Sequence, residues 1–214
     1  MKAICIMGES GSGKTTSLRN LDPATTFFVD CDKKGLPWKG WRKDYNGENR
    51  NYIQTDFPEV ALQCLRKVNT DEQYKHIKVI VFDTINGLMV ADEMRRMREK
   101  NYDKWMDLAA SIYNLIDYAL TVRADLTPVF VAHTQTDHDD NGYMFTRIKT
   151  SGRKLDKITL ESKFSTVLWC KKNGEKYVFD TQADNSTAKI PMGAVDERFI
   201  NNDLTLILDA LSEY

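Results

Sequence analysis

The hydrophobic positions of this chain follow two patterns. Short, nearly unbroken apolar runs stand at Ala3–Met7, Thr26–Asp30, Ile77–Thr84 and Val129–His133, as expected for parallel strands covered on both faces. Between them apolar residues recur at helical spacing. Val60, Ala61, Leu65 and Val68 mark a helix over Phe57–Val68, and Leu108, Ile112, Leu115, Ala119 and Val122 mark another over Asp103–Arg123. Leu88–Lys100 carries Met94 and Met97 on one face with Arg95, Arg96, Arg98 and Lys100 around it, which predicts a solvated helix with a modest apolar stripe. Phe164–Cys170 and Lys176–Asp180 flank Asn173-Gly174 and predict a hairpin, and Asn202-Asp203 caps a closing helix over Leu204–Leu211. Gly35–Asn51 lacks periodicity and reads as a surface excursion before a short strand at Tyr52–Gln54. Its tryptophans, Trp38 and Trp41, either pin that loop or stack on a base. The alternation of strands and helices predicts an α/β fold: a mainly parallel central sheet flanked by helices, with a C-terminal antiparallel hairpin.

Chemistry enters where the first strand ends. Gly8-Glu9-Ser10-Gly11-Ser12-Gly13-Lys14-Thr15 satisfies the phosphate-loop pattern G-x-x-x-x-G-K-[ST]. Its glycines allow a tight turn, so that successive backbone N–H groups and the positive end of the following helix face one phosphate chain. Lys14 is expected at the β and γ phosphates, Thr15 at Mg²⁺, and Thr16 at the end of the nucleotide-binding stretch. ATP and Mg²⁺ are therefore the expected cofactors. The helix after the loop must stop by Leu21, because Asp22-Pro23 disfavours helix before the proline. The second strand ends in Asp30 and Asp32, which either face the ligand crevice of an open α/β sheet or are solvated loop carboxylates. Asp83 closes the third strand at a distance from the loop that suits a Mg²⁺ anchor. His133 and Gln135 leave the fourth strand on the same side, where a polar group can feel the γ phosphate.

Composition bounds the rest. A chain of 214 residues with 42% hydrophobic content suits one α/β core, so a single domain over 1–214 is expected. The net charge of −1 gives no global argument for nucleic acid or membrane. A local one exists between Thr136 and Lys157, where an acidic tip is followed by Tyr143, Phe145, Arg147, Lys149, Arg153, Lys154 and Lys157. Aromatics interleaved with cations suit single-stranded nucleic acid, while Asn141-Gly142 alone suits a solvated hairpin. His133, His138 and the nearby aspartates lack the spacing of a known metal site. The cysteines Cys5, Cys31, Cys64 and Cys170 show no C-x-x-C spacing and read as reduced. The first strand follows Met1 almost at once and no apolar run has the length of a membrane span, so a cytoplasmic protein without a membrane partner is expected.

Gly8–Thr16, Phe28-Val29-Asp30-Cys31-Asp32, Val79–Leu88 and Val129–His133 together resemble the successive motifs of the RecA/RadA recombinase core. Nearly the whole chain, including Thr187-Ala188-Lys189 and Asn202-Asp203-Leu204, resembles the small core-only RecA-like ATPases of bacteriophages, the Sak-type proteins that assist single-strand annealing. The resemblance implies a DNA-stimulated ATPase in phage recombination or replication, acting in the host cytoplasm. It places Asp32 where the family commonly has a water-activating glutamate and His133 where RecA proteins commonly have a γ-phosphate-sensing glutamine. The loop after Gln135, residues 136–157, corresponds to the family's DNA-binding loop. Lys189 falls where RecA-like assemblies supply a cation in trans, which implies a homo-oligomer with shared active sites. Single-stranded DNA and a phage single-strand-binding or annealing protein are the implied partners. A small-molecule kinase using Arg147–Lys157 as its lid, and a nucleotide-gated adaptor without turnover, are the competing readings.

Overall fold

The computed structural model describes residues 3–99, 103–138, 140–151 and 159–214. Its strands are β1 (Ile4–Gly8), β2 (Thr26–Asp30), β3 (Tyr52–Gln54), β4 (Val79–Asp83), β5 (Thr127–His138), β6 (Met144–Ile148), β7 (Thr166–Asn173), β8 (Lys176–Asp180) and β9 (Phe199–Asn201). They form a nine-stranded sheet in the order β3-β2-β4-β5-β1-β7-β8-β9, with β6 off this path and paired to β5. Pairings from β3 through β7 are parallel, whereas β7–β8, β8–β9 and β5–β6 are antiparallel. This is the expected fold class, with one further strand, β9, behind the hairpin. The helices are α1 (Trp41–Asp44), α2 (Pro58–Thr70), α3 (Ile85–Arg95), α4 (Asp103–Ala119) and α5 (Leu204–Ala210).

Because successive strand residues point to opposite faces, the continuous apolar runs feed two cores. Cys5, Met7, Phe27, Val29, Ile80, Phe82 and Phe130 bury one face against Leu65 and Val68 of α2, Leu88 of α3 and Ile112 of α4. Ile4, Ile6, Phe28, Val81, Val131 and Leu168 bury the other against Leu204 and Ile207 of α5. Phe82 stacks on Phe130 at 5.0 Å inside the first core. Parallel strands all send their C-terminal ends to one edge of the sheet. Since β5 lies between β1 and β4, that edge sets Gly8, His133 and Asp83 side by side.

Several local expectations need correction. The stretch after the phosphate loop is a single 3-10 turn, Thr15–Leu18, rather than an α-helix. Thr15, Thr16 and Ser17 are poor helix formers and Asp22-Pro23 leaves no room for propagation. A turn this short contributes little macrodipole, so the phosphates must rely on the loop N–H groups and Lys14. The α3 helix starts three residues earlier than its apolar pattern suggests, because Thr84 serves as N-cap and accepts from Gly87 N at 3.2 Å. Its buried stripe is Ile85, Leu88 and Met89, whereas Met94 and Met97 are exposed. Fourth-strand pairing continues past His133 to His138, so Thr136–His138 belongs to a long strand and to the hairpin with β6. Trp38 packs edge-on against Phe28 and Tyr45, and Trp41 lies tilted against Tyr52, so both tryptophans hold the Gly35–Asn51 excursion to the body. All the cysteines are free thiols, Cys64 half-buried and the others buried.

Asp30 is the anchor of that excursion. Its buried Oδ2 accepts from Gly35 N at 2.8 Å, Tyr52 Oη at 2.7 Å and Gln54 Nε2 at 3.0 Å. Its carboxylate therefore serves structure, tying the loop after β2 to β3. Asp30→Ala should lower unfolding free energy by about 2–3 kcal/mol, as expected for a buried charged acceptor that loses several hydrogen bonds at once. Urea denaturation measures it, and a loss below about 0.5 kcal/mol would contradict this role.

Candidate nucleotide site

The phosphate loop is closed on its own lysine. Lys14 is nearly buried, and its ammonium donates to Gly8 O at 2.9 Å and Glu9 O at 2.7 Å. Those carbonyls occupy the donors that phosphate oxygens would take. Burial lowers the Lys14 pKa, and the positive charge of Lys34 adds to that, against the carboxylates of Asp83 and Asp32. The loop glycines are needed for specific reasons. A Cβ on Gly8 would lie 2.5 Å from both Cys170 O and Ser12 Oγ, and Gly13 has φ +93° with Asn202 and Tyr177 close by.

Thr15 Oγ1 donates to Asp83 Oδ2 at 2.6 Å, joining the loop to the end of β4. Asp83 is 2% exposed, and its Oδ1 is buried without a partner. Burial pushes its pKa up to about 6, opposed by the Thr15 hydrogen bond and the Lys34 charge. An orphaned carboxylate oxygen beside a hydroxyl is an all-oxygen donor set, which suits Mg²⁺. Among the described residues there is no separate cluster of three or more His, Cys, Asp or Glu able to hold a metal.

Asp32 sits across the crevice with both oxygens engaged. Oδ1 accepts from Thr84 Oγ1 at 2.9 Å and Oδ2 from Lys34 Nζ at 2.6 Å. A Cβ on Gly87 would come within 2.4 Å of Asp32 Oδ1, so α3 can approach this carboxylate only because residue 87 is glycine. His133 completes the ring, with Nδ1 3.5 Å from Lys14 Nζ. Burial and the Lys14 charge hold its pKa below the ordinary value, so the imidazole is neutral at neutral pH. Its backbone N–H donates to Asn86 Oδ1 at 2.7 Å, and Asn86 Nδ2 donates to Lys149 O at 2.7 Å.

The structure thus brings Lys14, Thr15, Asp32, Asp83 and His133 together. Lys34, Thr84, Asn86 and Gly87 were missed as site residues. Thr84, Asn86 and Gly87 were legible only as part of the Val79–Leu88 motif, directly after a strand that ends in aspartate, and Lys34 carried no signal. A hollow of about 360 Å³ lies on the Lys34 and His133 side of the loop. A larger one, about 700 Å³, lies on the other side against Arg19, Tyr177, Asn202 and Asp203.

The remaining candidates stand apart. Tyr143 is exposed near the tip of the β5–β6 hairpin, Phe145 is half-buried and Lys149 is exposed at its base. Arg147 pairs with Asp137 across the strands at 2.6 Å. Arg153, Lys154 and Lys157 lie outside the described residues. Lys189 bridges to Val167 through its backbone at 2.8 Å in both directions. Val167 is in register with Cys5, three residues before Gly8. That is roughly 10 Å along the strand from the loop. No helix among the described residues is long and apolar enough to cross a membrane.

A protein-family model described as an AAA domain matches residues 2–192. A search of curated proteins returned no match. The family match spans most of the chain, and the mainly parallel sheet and the phosphate loop agree with it. The chain belongs to the AAA domain family, whose membership suggests nucleotide binding and hydrolysis, and its fold is that of a P-loop NTPase core.

Proposed function

We propose that the chain is a Mg²⁺-dependent, RecA-like ATPase of one domain that binds single-stranded DNA and serves phage recombination or replication in the host cytoplasm. The observation that carries this reading is the continuity of β5. One strand bears His133 beside the phosphate loop and runs on into the hairpin with Tyr143, Phe145, Arg147 and Lys149. Asn86 bonds to both the His133 and Lys149 backbones, so a shift at the γ phosphate has a direct mechanical route to the hairpin.

The phosphates would lie on the loop N–H groups, with Lys14 turning from its carbonyls to the β and γ oxygens. Thr15 and Asp83 would hold Mg²⁺, which when bound neutralises phosphate charge. Asp32 orients water and takes its proton as the water oxygen bonds to the γ phosphorus and the bond to the β–γ bridging oxygen breaks. Neutral His133 can donate one N–H to a γ oxygen. Positioning and charge compensation supply most of the rate in such transfers. An ATPase assay with and without single-stranded DNA tests the reading. DNA stimulation supports it, phosphorylation of an added nucleoside makes the chain a kinase, and binding without turnover makes it an adaptor.

Lys14→Ala should abolish turnover. Asp32→Asn should keep nucleotide binding and lower turnover by roughly two orders of magnitude or more. Native turnover in Lys14→Ala, or equal loss of binding in Asp32→Asn, would contradict these roles. Asp83→Asn should also abolish turnover, yet it should raise stability at pH 7.5. The folded state holds the Asp83 proton more tightly than the unfolded chain does, so stability falls as pH rises from about 4 to about 6, and the cost persists above that. Removing the charge should therefore gain about 1–3 kcal/mol at pH 7.5 and little at pH 4. A variant less stable at pH 7.5, by urea denaturation without metal, would contradict this.

Replacing Arg147, Lys149, Arg153 and Lys154 together by Ala should weaken single-strand binding at every sequence. Each lost phosphate contact should lower the log–log salt slope by about 0.7. Tyr143→Ala or Phe145→Ala should cost about 1–3 kcal/mol with little change in slope. An unchanged slope in the fourfold variant would move the DNA site elsewhere.

Shared active sites are part of the same proposal, since the Lys189 backbone pairs with Val167, roughly 10 Å along the strand from its own loop. Lys189→Ala should leave nucleotide binding nearly intact and remove most turnover. Mixing Lys14→Ala with Lys189→Ala should restore part of the activity, because one interface can pair an intact loop with an intact Lys189. Native turnover in Lys189→Ala alone would make it an ordinary surface lysine.

A further inference from the structure

Lys34 has no part in the phosphate-loop pattern, yet the structure aims it at the site. Its backbone belongs to a tight turn in which Lys33 and Gly35 have φ +57° and +77°. The buried Asp30 carboxylate accepts from Gly35 N, and Leu36 is buried. Trp41 closes the other side, since a Cβ on Gly35 would lie 2.8 Å from its ring. Held this way, the turn leaves the Lys34 side chain 49% exposed and directed back over the crevice. It lines the same hollow as Lys14, Thr15 and His133.

The partner it reaches is Asp32. Lys34 Nζ lies 2.6 Å from Asp32 Oδ2, while Thr84 occupies Oδ1. The group assigned to take the water proton is thus fully engaged before substrate arrives. The γ phosphate of ATP brings a denser negative charge into that hollow, and a flexible four-carbon lysine stem can follow it. ADP ends one phosphate short.

We propose that Lys34 is a catalytic cation acting within its own chain: it clamps Asp32 until ATP binds, then transfers to the γ phosphate and frees Asp32 Oδ2 for the attacking water. This rests on the ATPase reading and supplies a regulation of its site. In the step itself the water oxygen bonds to the γ phosphorus, the bond to the β–γ bridging oxygen breaks, and the proton goes to Asp32. Lys34 only compensates charge on the γ oxygens. Burial works against the Lys34 ammonium, but its bond to Asp32 and the charges of Asp83 and Asp30 outweigh this and raise its pKa, so it stays charged.

The test uses the full chain with Lys34→Met and Lys34→Arg, read first by binding of ADP and of a non-hydrolysable ATP analogue. Lys34→Met should unfold at the native urea midpoint and bind ADP within about twofold of native. It should lose about tenfold to a hundredfold in affinity for the ATP analogue, as expected for one charge-assisted hydrogen bond. Turnover should fall by about a thousandfold or more, and Lys34→Arg should recover part of both losses. Mixing Lys34→Met with Lys14→Ala should restore nothing, because both lysines are needed in one chain. Equal loss of ADP and ATP-analogue affinity, native turnover in Lys34→Met, or recovery on mixing with Lys14→Ala would each overturn the proposal. The two readings fail separately: an unmodified chain without turnover defeats the ATPase, while loss of ATP over ADP selectivity in Lys34→Met still identifies the cation.

Discussion

The hydrogen bond from Thr15 to the buried Asp83 carboxylate holds the site together, because it joins the phosphate loop to the end of β4 across the strand that separates them. Asp83 is kept at an energetic cost. Burial raises its pKa to about 6 and leaves Oδ1 without a partner, a penalty that nothing in the packing of the core requires. Such a group makes sense where an oxygen-seeking cation completes its coordination. The strand order supplies the rest: with β5 set between β1 and β4, the neutral imidazole of His133 is the side chain that meets Lys14 from the side.

The closed loop and the clamped Asp32 describe one condition of the site from opposite sides of the crevice. Lys14 is satisfied by carbonyls of its own loop, and Asp32 by Lys34 and Thr84. Both sets of bonds can be exchanged for phosphate oxygens and water. An incoming nucleotide therefore replaces interactions already made, and the difference between ATP and ADP falls on the Lys34 side of the exchange. The Asn86 side chain links this crevice to the hairpin by bonding to the backbones of residues 133 and 149.

Much of this was legible in the sequence, for identifiable reasons. Parallel strands buried on both faces leave unbroken apolar runs, and the phosphate loop has a spacing that few other structures need, so fold class and loop were both readable. Asp83 followed from its place at a strand end, and His133 from its place at the end of the apolar run of β5. The 3-10 turn after the loop was less legible, since a few residues of helix and a single tight turn share one composition. The long reach of β5 was hidden because Thr136–His138 is polar on both faces and shows no alternation. Residue pattern did not separate Asp30 from Asp32, and the family resemblance alone singled out Asp32, although one builds a loop and the other faces the crevice. The positions of Tyr52, Gln54 and Gly35 give the physical reason, since all three bond to Asp30. Lys34 gave no signal at all, because its role depends on the turn that Asp30 folds.

The central claim is that nucleotide state reaches the hairpin along β5. It is tested most directly by measuring affinity for single-stranded DNA at one salt concentration, with the protein saturated either by a non-hydrolysable ATP analogue or by ADP. The account predicts a severalfold or larger difference between the two states that collapses in Asn86→Ala. Identical affinities in both states would contradict it.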